Sequence, residues 1–140
     1  MLTAVLAFPC RSQLKPAYKE IERNRFIFIK KDLCPEMHRI VLLHEIGHAV
    51  LHRNEAKLFS DLNLFHMKND RMEYEANCFA SEVALPDDEV LNYIQEGFDM
   101  EQIAKAMNKD INLVAMKAAN LNRKGYSFRL QDSRSDFLKF

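Results

Sequence analysis

An H-E-x-x-H run, His44-Glu45-Ile46-Gly47-His48, lies inside the apolar stretch 40–51, and it constrains the fold more than any other feature of the chain. Residues four apart on an α-helix stack on one face. A helix here therefore sets two imidazoles where a single metal ion can take both. Glu45 lies about 100° round from His44, within reach of a water on that metal. Two neutral imidazoles beside a carboxylate base form the arrangement a zinc hydrolase needs. The plain alternative is a helix with solvated His and Glu side chains. Val41, Leu42, Leu43, Ile46, Val50 and Leu51 make the helix apolar on nearly every side. It should be buried, and histidines and a carboxylate buried with it need partners.

The elements around it read as a small α+β fold. Residues 17–33 have the pattern of a β-hairpin: Tyr18 and Ile21 on one arm, a polar turn at Glu22-Arg23-Asn24-Arg25, then Phe26-Ile27-Phe28-Ile29. The second arm is continuously apolar, so both its faces should be covered. Pro35 suits the first position of the active-site helix, predicted over 35–53. The stretch 54–69 reads as a loop. The next helix is predicted over 71–85, capped by Asp70, with Glu73 completing a capping box and Pro86 ending it. Its core stripe is Met72, Ala76, Phe79, Ala80 and Val83. Three short helices follow. Asp87 caps the first, which ends before Gly97; Asp99 with Gln102 opens the second; Asp110 opens the third, which ends before Gly125. Ser127 to Leu130 has the pattern of a short strand. The organisation is a small antiparallel sheet on the H-E-x-x-H helix and a second ligand-bearing helix (1–86), a helical subdomain packed on that core (87–125), and a strand and tail (126–140).

A catalytic zinc takes three protein ligands and keeps one open position. A metzincin would carry a histidine at position 54, which is Asn54. His52 is one more turn along the same helix, too far along the axis to join the same ion, and reads as a helix-end histidine. His38 and His66 read as surface residues. The better candidates are Glu73 and Glu75 on the following helix. In projection they flank its apolar stripe on opposite sides, so only one can face the metal. Glu73 has a second use in the capping box and Glu75 has none, which favours Glu75. Cys78 reads as packing.

Two linked segments then match a known pattern: H-E-I-G-H-A-V-L-H from His44, and E-Y-E-A-N-C-F-A-S-E-V-A-L-P from Glu73. Together they resemble the ImmA/IrrE metallopeptidases, which carry H-E-x-G-H-x-x-x-H followed by E-A-N-x-F-A-x-x-x-L-x-P. The resemblance runs from about Arg25 to Pro86, with weaker support to Gly125. It implies a gluzincin-like site with His44, His48 and Glu75 as zinc ligands and Glu45 as general base. It implies a selective cytoplasmic protease whose substrate is a helix-turn-helix repressor, so that cleavage relieves repression of a mobile element or stress response. Domains of that family have more sheet ahead of the hairpin, and the chain is expected to be short there. His/His/Glu donors suit Zn²⁺ and also Mn²⁺.

Other function classes fare worse. Lys plus Arg balance Asp plus Glu at 20 each over 140 residues, so charge does not recommend nucleic acid or an anionic membrane as partner. The apolar opening, residues 1–8, lacks a basic leader, is too short to span a bilayer and stops at Pro9. Three widely spaced cysteines, Cys10, Cys34 and Cys78, make no disulfide framework and fit a reducing, cytoplasmic setting. The stretch 100–124 has a helix-turn-helix outline. A DNA reader would use Lys117, Asn120 and Arg123, but its turn lacks glycine and basic residues are sparse. A regulator that only binds its protein partner, or binds DNA through this segment, is the alternative to a peptidase.

Overall fold

The computed structural model describes residues 4–8, 17–54 and 70–128. Residues 9–16, the predicted loop beyond 54, His66 and the tail from 129 lie outside that set, as does the side chain of Asp70. Three strands, β1 (Ala4–Phe8), β2 (Ala17–Ile21) and β3 (Asn24–Lys30), form one sheet in the order β1-β3-β2. Helices α1 (Pro35–Leu51), α2 (Asp70–Ala84), α3 (Asp87–Gln95), α4 (Met100–Met107) and α5 (Ile111–Arg123) follow. The fold is α+β, as the sequence suggests. The sheet is mixed, however: β2 pairs antiparallel with β3, while β1 pairs parallel, with Val5 opposite Ile27.

The hairpin turn is tighter than predicted. Ile21 pairs with Asn24, leaving only Glu22 and Arg23 in the loop, at φ 50° and 66°. Positive φ at both central residues is the two-residue turn whose twist matches that of the strands. Asn24 and Arg25 are thereby drawn into β3. As the central strand, β3 buries Ile27 and Ile29 completely, while Phe26 and Phe28 on the other face are half-buried.

By contact the chain divides into two units, residues 1–76 and 77–139, with the division inside α2. In the first unit, Val41 and Ala49 of α1 join Ile27 and Ile29 in one apolar cluster, with Met37, Leu42 and Ile46 packed against it. That face accounts for the apolar character of α1 on the sheet side. Val50 and Leu51, at the end of α1, are exposed. The helix stops two residues earlier than predicted, with His52 as its C-cap. Glu20 of β2 pairs with Arg25 across the hairpin at 3.9 Å and with Arg53 just past α1 at 3.5 Å, tying the end of the helix to the sheet.

In the second unit the helix punctuation is largely as expected. Asp99 and Gln102 form a reciprocal capping box on α4, and Asp110 caps α5 through the Asn112 amide. The glycines after α3 and α5 take φ 86° at Gly97 and 108° at Gly125, a region that L side chains avoid. Between α4 and α5 the same task falls to Asn108 at φ 52°, a residue that tolerates the left-handed conformation. This is how a helix-turn-helix outline forms without glycine.

Three expectations fail here. Met72, Ala76 and Ala80 of the α2 stripe are buried, but Val83, near the end of the helix on the same stripe, is 55% exposed. Asp87 makes no side-chain cap; Pro86 holds that position, and the Asp87 carboxylate pairs with Lys117 and Lys124. Ser127 and Phe128 are not in a strand. The Phe128 backbone is held by the Asn122 side-chain amide instead, at 3.2 and 3.3 Å.

Lys117 is wholly buried, and its ammonium bonds Glu82 at 2.8 Å as well as Asp87. Lys124 closes the network on the same two carboxylates at 3.0 and 2.9 Å. Burial pushes the Glu82 carboxyl up, but hydrogen bonds from Lys117 and Lys124 outweigh it and hold the group below its ordinary value. The same two partners lower Asp87. The folded protein therefore binds fewer protons on these groups than the unfolded chain does. The stability they contribute is present above their unfolded values, near pH 4, and is lost as pH falls through the lower folded values. Urea midpoints should drop between about pH 6 and pH 3, and Glu82→Gln should flatten part of that slope. An unchanged slope in the variant would contradict the pairing.

Candidate metal centre

His44 and His48 of α1 and His52 at its C-cap follow one another at successive turns along one line of the helix, beside the apolar residues that meet β3. Their exposures are 1%, 4% and 2%. Polar rings at that depth are kept only with partners, and α2 supplies them. The Nε2 atoms of His44 and His48 lie 3.1 Å apart. One oxygen of Glu73 is 3.3 Å from His44 Nε2, and the other is 3.2 Å from His48 Nε2. All three side chains are buried. Glu45, beside His44 in sequence, is itself 1% exposed.

Three donor atoms about 2.0–2.1 Å from a common zinc at tetrahedral angles are separated by about 3.3 Å. The imidazole nitrogens, 3.1 Å apart, and the nearer Glu73 oxygen to each, at 3.2–3.3 Å, lie close to that value. Two imidazole nitrogens and a carboxylate also form a donor set that zinc and manganese accept. Lone pairs crowded this closely repel one another unless a proton or a metal ion lies between them. The residues present therefore fit a metal ion.

Of the residues singled out in the sequence, the structure brings His44 and His48 together with Glu73, not with Glu75. Glu73 shares the buried face of α2 with Met72, Ala76 and Asn77, whereas the Glu75 side chain is 35% exposed. One Glu73 oxygen faces each of the two histidines. Glu75 accepts from His52 Nε2 at 2.8 Å and from Arg71 Nε at 2.8 Å. Those bonds, the His52 one foremost, hold its carboxyl below the ordinary value. The signal for Glu73 was present in the sequence as a polar ladder, Glu73, Asn77, Ser81, running beside the apolar residues; all three are buried. His52 reads in sequence as a helix end. Its spacing, four beyond His48, places it in the same row. The Nδ1 atoms of His48 and His52 are 3.1 Å apart.

Cys78 is outside this group and lies against Asn120, with Sγ to Oδ1 at 3.8 Å. Of the three residues a DNA-reading α5 would use, Lys117 and Asn120 are buried and bonded within the protein, and only Arg123 is exposed.

The arrangement, an H-E-x-x-H helix whose histidines meet a buried glutamate from the next helix, is that of metal-dependent peptidases. Residues 5–119 match the M78 peptidase family described as the IrrE N-terminal-like domain, and the chain belongs to that family. It is 35% identical over 101 residues to an uncharacterized immunity region protein 2 of Bacillus phage phi105, covering 71% of this chain and 63% of that protein. It is 41% identical over 73 residues to the metallopeptidase ImmA of Bacillus subtilis (strain 168), covering 50% of this chain and 42% of that protein. The chain thus spans between two-fifths and two-thirds of the length of these relatives.

Proposed function

We propose that this chain is a metallopeptidase in which His44, His48 and Glu73 hold a zinc ion and Glu45 is the general base. The observation that carries the reading is the His44–His48–Glu73 cluster, spaced as one ion requires, in a chain of a peptidase family. Zinc bound there would supply Lewis acidity, lowering the pKa of water from about 16 toward about 7 and polarising a peptide carbonyl. Glu45 takes the proton from the attacking water and delivers it to the leaving amine. Its burial beside His44 keeps bulk water from competing for that proton.

The substrate in this reading is a cytoplasmic protein, specifically a helix-turn-helix repressor, and cleavage acts as antirepression. The phage relative's designation as an immunity region protein supports a setting in a mobile element. No helix among the described residues is long and apolar enough to cross a membrane. Against the DNA-reading alternative stand the burial of Lys117 and Asn120. Against a partner-binding protein without activity stands the presence of Glu45, buried and next to His44 in sequence.

Co-expression with the repressor encoded nearest to its gene tests the proposal. A repressor fragment should appear with the wild-type chain and not with Glu45→Gln, while both proteins purify with metal. A fragment with both would remove Glu45 from its role. Zinc-loaded wild-type protein that leaves every such repressor whole would overturn the substrate reading.

A further inference from the structure

The buried row on α1 does not end at the proposed ligands. His48 meets His52 through their Nδ1 atoms, 3.1 Å apart, and His52 Nε2 meets the Glu75 carboxylate at 2.8 Å. Arg71 lies on the other oxygen of that carboxylate at 2.8 Å. The chain of contacts therefore runs Arg71–Glu75–His52–His48 and ends on a ring whose Nε2 faces His44 and Glu73.

Hydrogen-bond chemistry leaves few ways to protonate this row. A carboxylate only accepts, so His52 Nε2 must carry a hydrogen and donate it to Glu75. In neutral His52 the other nitrogen, Nδ1, is then an acceptor. The contact with His48 requires that His48 Nδ1 be the donor. His48 is thereby fixed as the tautomer with its hydrogen on Nδ1 and its lone pair on Nε2, the form that can ligate through Nε2. The opposite polarity would need His52 to donate from both nitrogens and His48 to carry its hydrogen on Nε2, pointed at His44 and Glu73. That form cannot bind a metal there.

We propose that His52 and Glu75 are a positioning pair: Glu75 sets the tautomer of His52, and His52 sets the tautomer and ring angle of His48, so that Nε2 is presented to the metal. The pair does not touch the reacting atoms. This inference rests on the metal-centre reading and goes beyond it, because it gives His52 and Glu75 a role that is neither ligation nor packing. Outer partners of ligating histidines commonly set metal affinity within about 10–100-fold. Here the partner is itself a histidine, wired through a second carboxylate that is anchored by an arginine.

The test uses the full chain and zinc alone. Long-range ¹H–¹⁵N spectra of the zinc-loaded wild type should show His48 protonated on Nδ1 and His52 on Nε2. In competition with a chromophoric chelator, His52→Ala should bind zinc about 10–100-fold more weakly. His52→Gln, which keeps an acceptor for His48, should recover most of that loss. Melting of the metal-free proteins separates this effect from a loss of fold. A hydrogen on His52 Nδ1 in the zinc-loaded wild type would overturn the proposal, whether or not the variants fold. So would wild-type zinc affinity in His52→Ala. A wild-type protein that takes up no zinc would overturn the metal centre itself, a different outcome from either of these.

Discussion

Glu73→Gln should cost the protein its metal and its peptidase activity together, whereas Glu75→Gln should leave both measurable. The two residues are one apart from being neighbours on α2, yet their surroundings differ. Glu73 is buried with both oxygens 3.2–3.3 Å from ligand-type nitrogens. Glu75 is a third exposed and bonded to His52 and Arg71. Removing one of three donors should lower zinc affinity by more than the roughly 100-fold that marks the upper end of outer-partner effects. A glutamine at position 75 still accepts from His52 Nε2, so its effect should stay within that range. Chelator competition on both variants, with cleavage assayed on the same samples, decides the matter. Equal losses would contradict the separate roles of Glu73 and Glu75.

The second large effect is on stability. Lys117→Ala should destabilise the protein by about 3 kcal/mol, from two sources. The Lys117 side chain is fully buried, and truncation empties the space its methylenes fill. It also removes the ammonium that lies on Glu82 and Asp87. Those carboxylates are 33% and 42% exposed and keep Lys124. The loss should therefore fall at the low end of the about 3–5 kcal/mol seen when a buried pair is broken. Lys117→Met keeps most of the volume and should cost about 1–2 kcal/mol. Urea midpoints at neutral pH measure both. A Lys117→Ala protein as stable as wild type would mean that the side chain is not held in the network.

Features governed by local chemistry were the ones readable from sequence. The His44–His48 spacing, the Asp99–Gln102 box, the Asp110 cap and the glycines after α3 and α5 each depend on residues within one or two turns. Their physics is complete inside a short window. What could not be read depends on distant chain. Asp87 looks like a cap until Lys117, thirty positions on, claims its carboxylate. The parallel pairing of β1 with β3 skips a strand and leaves no local mark. Val83 belongs to the apolar stripe by projection, but the face that packs is set by what lies opposite.

Glu73 and Glu75 show the boundary most sharply. They sit about 200° apart on the helix, so projection placed one inward without saying which. The capping-box rule then weighed a bond worth about 1 kcal/mol against an unseen one to two buried imidazoles. The polar ladder Glu73, Asn77, Ser81 held the missing information. A row of buried polar groups at helical spacing points to partners in the interior, and for Glu73 those partners are His44 and His48.

The central claim is that one metal ion sits between His44, His48 and Glu73. A crystal of the zinc-loaded chain, with an anomalous difference map recorded at the zinc edge, tests it most directly. The account predicts a single strong peak held by His44, His48 and Glu73, with Glu75 bonded to His52 and clear of the metal. A peak bonded to Glu75, or zinc found only elsewhere on the protein, would contradict it.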